Sequence, residues 1–346
     1  AFRVVDGAPP ARQPLDRTWV HRIRYPCPAM SEMTPARRRF SYLAWAVLAF
    51  NVAVILGGAV VRATGSGDGC GATWPRCGGQ IIPTNPSSER IIEFTHRMMS
   101  GAAGLGVLAL FVLALVLYAK RDPIRRAAAA SLGFLVIESL LGAALVLFGW
   151  VDQDASVGRQ IVVPLHLTNT FLLLAALTLT AWWASGNPAP KTAGRSREVR
   201  WLWLGALAML IIGTSGALNA LADSLFAADS VLGGIRDELD PDAPLLVQIR
   251  AFHPLLSIIL GLAVAYIAQT LGRDAGEETR RFSVVILGLV VAQFFVGIAN
   301  IFLLTPLETQ VIHLAMADAV WIVYVLFGAS LLGETARVPQ DAGAST

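Results

Sequence analysis

Four histidines, His96, His166, His253 and His313, sit inside long apolar segments of this 346-residue chain. They fall in the second, fourth, sixth and eighth such segments, each about two helical turns in from the same end. An ionisable side chain inside an apolar span is rare and is usually there for function. Imidazole nitrogen is an axial ligand for haem iron, and one histidine on each of two facing helices, at equal depth, is what a six-coordinate haem needs. Four histidines at one depth, two in each half, therefore point to two haems. Zinc or copper would need three or four converging ligands, and no cysteine or carboxylate triad accompanies either pair. All four lie toward one face, which disfavours a chain that carries electrons across the membrane by itself.

The surroundings of the two pairs differ. Glu93 precedes His96 by three residues and shares its helical face, whereas Arg250 stands at the matching place before His253. A carboxylate there is costly in lipid unless protonated or paired. Two readings are open: Glu93 pairs with Arg90 or Arg97 at the interface, or it moves protons or stabilises a cation at a haem edge. The second reading makes the first half catalytic and the second a permanent, electron-delivering site. Arg62, Arg97, Arg159 and Arg250 lie near the level that porphyrin propionates would reach and could pair with them. Asn169, Asn219, Gln293 and Asn300 read as polar contacts between helices. Ser100 and Gly104 read as close packing. Glu138 and Asp318 are intramembrane carboxyls to which the sequence assigns no role.

The elements that must carry these residues are apolar runs near 40–63, 91–119, 127–150, 160–184, 201–221, 246–271, 282–304 and 308–333. Each is long enough to cross a hydrocarbon core of roughly 30 Å, and the runs are continuous rather than alternating, so helices are expected and a β-barrel is not. With 55% hydrophobic and only 15% charged residues, the chain is read as an all-α integral membrane protein with eight transmembrane helices. Lys and Arg concentrate in one set of loops (Arg37 to Arg39, Lys120 to Arg126, Lys191 to Arg200, Arg273 to Arg281), while the opposite loops are acidic or neutral. That asymmetry places both termini on the cytoplasmic side and accounts for the net charge of +3 without invoking nucleic acid. Residues 1–36 fit no span and lack the apolar core of a secretory signal. They are read as a disordered cytoplasmic tail or a mis-assigned start, and 335–346 as a second cytoplasmic tail. Cys70 and Cys77 share the first outer loop, where an oxidising compartment would allow them to bridge; free thiols or half of a metal site are the alternatives.

The two halves read as a parallel repeat. His96 and His253 are 157 residues apart, His166 and His313 are 147, Gly57 and Gly213 are 156, and Gly142 and Gly297 are 155. Four helices return the chain to its starting side, so the halves share one orientation. The expected organisation is two pseudo-symmetric four-helix bundles, 37–184 and 201–334, joined by a polar linker at 185–200.

The stretch from Gly57 to Pro83, GGAVVRATGSGDGCGATWPRCGGQIIP, followed by EFTHR from Glu93 to Arg97, resembles the haem A synthase family. The similarity runs over all eight spans, although Gly71-Ala72 departs from the residues usual after the first loop cysteine and the second half has no cysteine pair. The resemblance implies stepwise oxidation of the C8 methyl of haem O, through an alcohol, to the formyl group of haem A for cytochrome oxidase assembly. It implies haem O (as substrate, with haem A as product) in the N-terminal bundle on His96 and His166, and haem b in the C-terminal bundle on His253 and His313. It also implies an essential Glu93 and a disulfide between Cys70 and Cys77; Arg62 and Arg97, chosen by their depth, are added to the haem-binding set. Haem O synthase, cytochrome oxidase assembly factors and an unidentified electron donor are the implied partners, in membrane lipid, with a homo-oligomer compatible. Mitochondrial members generally lack the cysteine pair, so the bacterial cytoplasmic membrane is the expected location. A non-catalytic dihaem b-type cytochrome, with equivalent halves and no need for Glu93, is the competing reading.

Overall fold

A computed structural model describes residues 33–84 and 87–334; of the tails expected at 1–36 and 335–346, residues 1–32 and 335–346 lie outside the described residues, whereas Pro35 and Ala36 already belong to the first helix, which Thr34 caps. Eight helical stretches are long and apolar enough to span a membrane: α1 (Pro35–Ala63), α2 (Ser88–Leu117), α3 (Pro123–Leu147), α4 (Val157–Ala184), α5 (Ser196–Leu225), Leu245–Gly272, α9 (Glu277–Phe302) and α10 (Leu307–Gly333). The sixth stretch begins with a single turn, α7 (Leu245–Gln248), and continues as α8 (Phe252–Gly272). The chain is an all-helical integral membrane protein, with no strand among the described residues.

Local chemistry sets the helix ends. Thr34, Ser87, Asp122 and Ser156 each accept a hydrogen bond from a first-turn N–H, and Pro35 and Pro123 occupy first helical positions where a missing N–H costs nothing. Polar turns therefore extend several helices past their apolar runs. α5 begins at Ser196 rather than 201, which shortens the expected linker from its C-terminal end. The sequence reading missed one element, α6 (Val231–Leu239), a short helix in the outer connection between α5 and α7. Its run is too short to span, so a search for apolar spans passes over it, although Val231, Leu232, Ile235 and Leu239 recur at helical spacing.

Leu105, Val116, Leu140 and Phe295 are large, apolar and exposed, as lipid-facing side chains are. In lipid the hydrophobic effect does not drive helix against helix, so close packing and hydrogen bonds must. α1 packs on α2 and α4, α2 on α3, and α3 on α4; α5 packs on α8, α8 on α9, and α9 on α10. The connection between these sets runs mainly through α4, which also touches α5 and α10. Its apolar window is accordingly 50% buried, against 11% for α3. Gly213 of α5 makes this approach possible, because a Cβ there would lie 2.3 Å from the Phe171 ring of α4. Trp321 of α10 stacks near the same ring, with centroids 5.6 Å apart, and its indole N–H donates to the Phe171 carbonyl at 2.6 Å. Thr168 of α4 and Thr214 of α5 are hydrogen-bonded at 3.0 Å.

Candidate functional site

Each of the four histidines is seated against a glycine of the preceding long helix. A Cβ on Gly57 or Gly58 of α1 would come within 3.5 and 3.2 Å of the His96 ring of α2. The corresponding approaches are 3.7 Å from Gly142 of α3 to His166 of α4, 3.0 Å from Gly216 of α5 to His253 of α8, and 3.2 Å from Gly297 of α9 to His313 of α10. Gly213, which lies 156 residues after Gly57, does not seat a histidine. Gly213 serves the Phe171 contact, and Gly216, one turn on, is the seat for a histidine. A glycine under an imidazole fixes the plane of the ring by contact while leaving its far edge open.

In the second half the His253 and His313 rings are brought together, with centroids 6.3 Å apart and planes at 85°. Two imidazoles bonded to one metal at about 2.0 Å each have centroids roughly 6 Å apart, so this separation accommodates a single metal between them. The Ser215 hydroxyl lies 3.0 Å from His253 Nδ1 and holds that ring in place, leaving Nε2 for a ligand. The Nδ1 atoms of His96 and His313 are buried without a hydrogen-bond partner, a costly condition for a group that serves only packing. Among the described residues no three His, Cys, Asp or Glu side chains converge as a metal cluster. The donor set therefore fits a group that takes one imidazole from each side.

His166 has a different companion. Its Nδ1 lies 3.0 Å from Glu138 Oε1 of α3, within ion-pair range but off the line of a well-formed hydrogen bond. Glu138 is itself held: Asn169 Nδ2 donates to Oε2 at 2.6 Å, and the Thr170 hydroxyl donates to Oε1. The sequence reading left Glu138 without a role; the 155-residue offset that relates Gly142 to Gly297 also relates Glu138 to Gln293, and that was the available signal. Gln293 lies beside His313, its amide nitrogen 3.0 Å from the histidine carbonyl and 3.4 Å from Nε2. Asp318, five residues beyond His313, is fully buried, and neither of its carboxylate oxygens is hydrogen-bonded.

The rim above the first pair is built on Glu93. It is buried, pairs with Arg97, and accepts the Cys70 N–H at 2.6 Å on its other oxygen. Arg97 also donates to the carbonyls of Thr73 and Arg76 at 2.5 and 2.6 Å. Cys70 and Cys77 are disulfide-bonded, so the loop that Glu93 and Arg97 grip is itself closed. Gly69 lets this loop descend onto α2, since a Cβ there would lie 2.6 Å from the Glu89 backbone. Arg62 does not face this loop. It reaches into the second half, donating to the Ala220 carbonyl, the Ser224 hydroxyl and Gln310 Oε1 at 2.6, 2.5 and 2.7 Å. Arg159 donates to the carbonyls of Asp152 and Asp154 at 2.6 and 2.8 Å. Arg250, the counterpart of Glu93, pairs with Glu238 at 2.8 Å and Asp223 at 3.3 Å and donates to the Phe226 and Gly234 carbonyls. The four arginines read from the sequence as candidate carboxylate partners are thus all engaged by protein oxygens.

A protein family described as cytochrome oxidase assembly protein matches residues 41–325. The chain is 45% identical over 305 residues to a protein named protoheme IX farnesyltransferase in Thermus thermophilus; the match covers 88% of this chain and 50% of that protein. It thus spans about half the length of that relative. It is 30% identical over 270 residues to a heme A synthase of Alkalihalophilus pseudofirmus, covering 75% of this chain and 86% of that protein. A shorter match, 47% over 96 residues, relates it to a heme A synthase of Bacillus mycoides, over 28% and 31% of the two chains.

Proposed function

The chain belongs to the haem A synthase family, and from that premise we propose that it oxidises the C8 methyl of haem O, through the alcohol, to the formyl group of haem A. Methyl to alcohol adds one oxygen atom and withdraws two electrons, and alcohol to aldehyde withdraws two more with two protons, so the reaction needs a substrate site, a source of that oxygen and an acceptor for the electrons. The observation that carries the reading is the arrangement of four imidazoles, each on a glycine seat, in two halves whose surroundings differ. We assign His96 and His166 to the substrate haem in an N-terminal bundle, 37–184. We assign His253 and His313 to haem b in a C-terminal bundle, 201–334. The 6.3 Å separation of the latter pair supports the second assignment. When bound, haem b supplies reversible one-electron chemistry. The protein's own part is to hold the imidazoles, exclude water and close the outer wall.

Glu93 remains the residue on which turnover is proposed to depend, and its contacts support a positional action. It neutralises Arg97 and suspends the disulfide-closed loop over the first pair. Arg62 and Arg97 are proposed to line the rim where haem carboxylates approach. The farnesyltransferase name is not carried to this chain, because half of that relative lies outside the match. It supports instead a protohaem farnesyltransferase, which makes haem O, as the partner supplying the substrate, with cytochrome oxidase assembly downstream. The proposed location is the bacterial cytoplasmic membrane, termini inward.

The reading is tested by co-expressing the chain with a protohaem farnesyltransferase, extracting the haems of the purified protein in acid acetone and separating them with mass detection. Haem B together with haem O, its hydroxylated form or haem A is the expected result. Haem B alone, with haem O available, would instead indicate a dihaem cytochrome.

A further inference from the structure

The proposed function does not use Glu138, and the two halves differ around it more than at any other histidine. The Glu138 carboxylate stands 3.0 Å from His166 Nδ1 and is fixed from behind by Asn169 and Thr170, three and four residues past that histidine. In the second half all three components are replaced together. Gln293 occupies the place of Glu138, and Met316 and Ala317 occupy the places three and four residues past His313. Neither Nδ1 makes a well-formed hydrogen bond, but His166 has a carboxylate 3.0 Å away and His313 has none at its Nδ1. A carboxylate 19% exposed in a membrane span lies within reach of two donors, Asn169, which also donates to the Phe134 carbonyl, and the Thr170 hydroxyl, which it shares with the His166 carbonyl.

We infer that Glu138 is a positioning residue for His166: it sets the imidazole tautomer with the proton on Nδ1, directs Nε2 to the iron, and makes this ligand more electron-donating than His313. A carboxylate partner raises the basicity of a ligating histidine; Gln293 is neutral and approaches His313 at Nε2 rather than Nδ1, so it gives that ligand no such support. More electron density on the ligand stabilises oxidised iron, so the first-half haem has the lower reduction potential of the two. The difference favours holding the substrate haem oxidised while the second-half haem accepts electrons readily. This inference rests on the assignment of a haem to the first half.

The test is a spectroelectrochemical titration of the full chain, co-expressed with a protohaem farnesyltransferase, as wild type, Glu138→Gln and Gln293→Glu. Glu138→Gln is expected to raise the midpoint potential of the first-half haem and leave the second unmoved. Gln293→Glu is expected to lower the potential of the second-half haem alone. It answers the question from the other half if Glu138→Gln does not retain its haem. Unchanged potentials in both variants would overturn the inference, as would both haems shifting together in either one. Extraction of the same samples separates the two kinds of failure. Haem B in both halves removes the substrate reading, while the potentials still decide the role of Glu138.

Discussion

The connections that follow α1 and α5 are hung from opposite charges, Glu93 and Arg250, each three residues before a histidine. In the first half a carboxylate, Glu93, accepts from the loop backbone at Cys70 and from Arg97, which in turn grips two loop carbonyls. In the second half a guanidinium, Arg250, donates to two carbonyls and two carboxylates and draws the short helix α6 down onto the bundle end. A compact disulfide loop closes one site and a helix closes the other. The second histidine of each half differs as well, with a carboxylate beside His166 and a neutral amide beside His313. The four histidines thus share glycine seats, while the groups beside them differ in charge between the halves.

The largest effect should come from breaking the two loop hangers. Glu93→Ala leaves Arg97 buried without its partner, a loss of about 3–5 kcal/mol for a buried pair. Product formation should fall by about 100-fold while extracted haem B is unchanged. Arg250→Ala should release α6, seen as proteolytic cleavage near 231–239, with haem B falling first. Equal effects of the two variants on product and on haem B would erase the distinction between halves.

A smaller effect sharpens the claim that the seats are common to both halves. Gly216→Ala and Gly58→Ala place a methyl at 3.0 and 3.2 Å from an imidazole, so the ring must yield, at about 1–3 kcal/mol. Gly142→Ala, at 3.7 Å, is ordinary contact and should leave haem content at wild-type level. The measurement is haem per protein, and a loss at Gly142 as large as at Gly216 would contradict the seat geometry.

Removing the disulfide with Cys70→Ser should loosen the first loop alone, by about 2–3 kcal/mol for so short a closure. Thiol labelling of the native protein should reach neither Cys70 nor Cys77 before reduction. The smallest effect is expected at the join between halves, where Trp321→Phe deletes the hydrogen bond to the Phe171 carbonyl and costs about 1 kcal/mol in thermal stability.

Much of this was legible in the residues because a membrane imposes depth. Continuous apolar runs mark the eight spans, and counting from their ends puts the four histidines at one level. Azimuth around each helix was less legible. Gly213 and Gly216 are one turn apart and equally good repeat partners by spacing, yet only Gly216 faces a histidine. Glu138 lacked a role because its partners, Asn169 and Thr170, lie on another helix and connect to it only after packing. The arginines could be named from the sequence, but the carbonyls that engage Arg97 and Arg159 belong to loops whose course no apolar period records.

The most direct test of the inequivalent halves is the haem content of His166→Ala and His313→Ala, each co-expressed with a protohaem farnesyltransferase and extracted in acid acetone. The expected result is that His166→Ala keeps haem B and loses haem O and its oxidised products, while His313→Ala loses haem B and retains haem O. Loss of haem B in His166→Ala, or the same mixture in both variants, would contradict the division of the molecule into a substrate half and a resident-haem half.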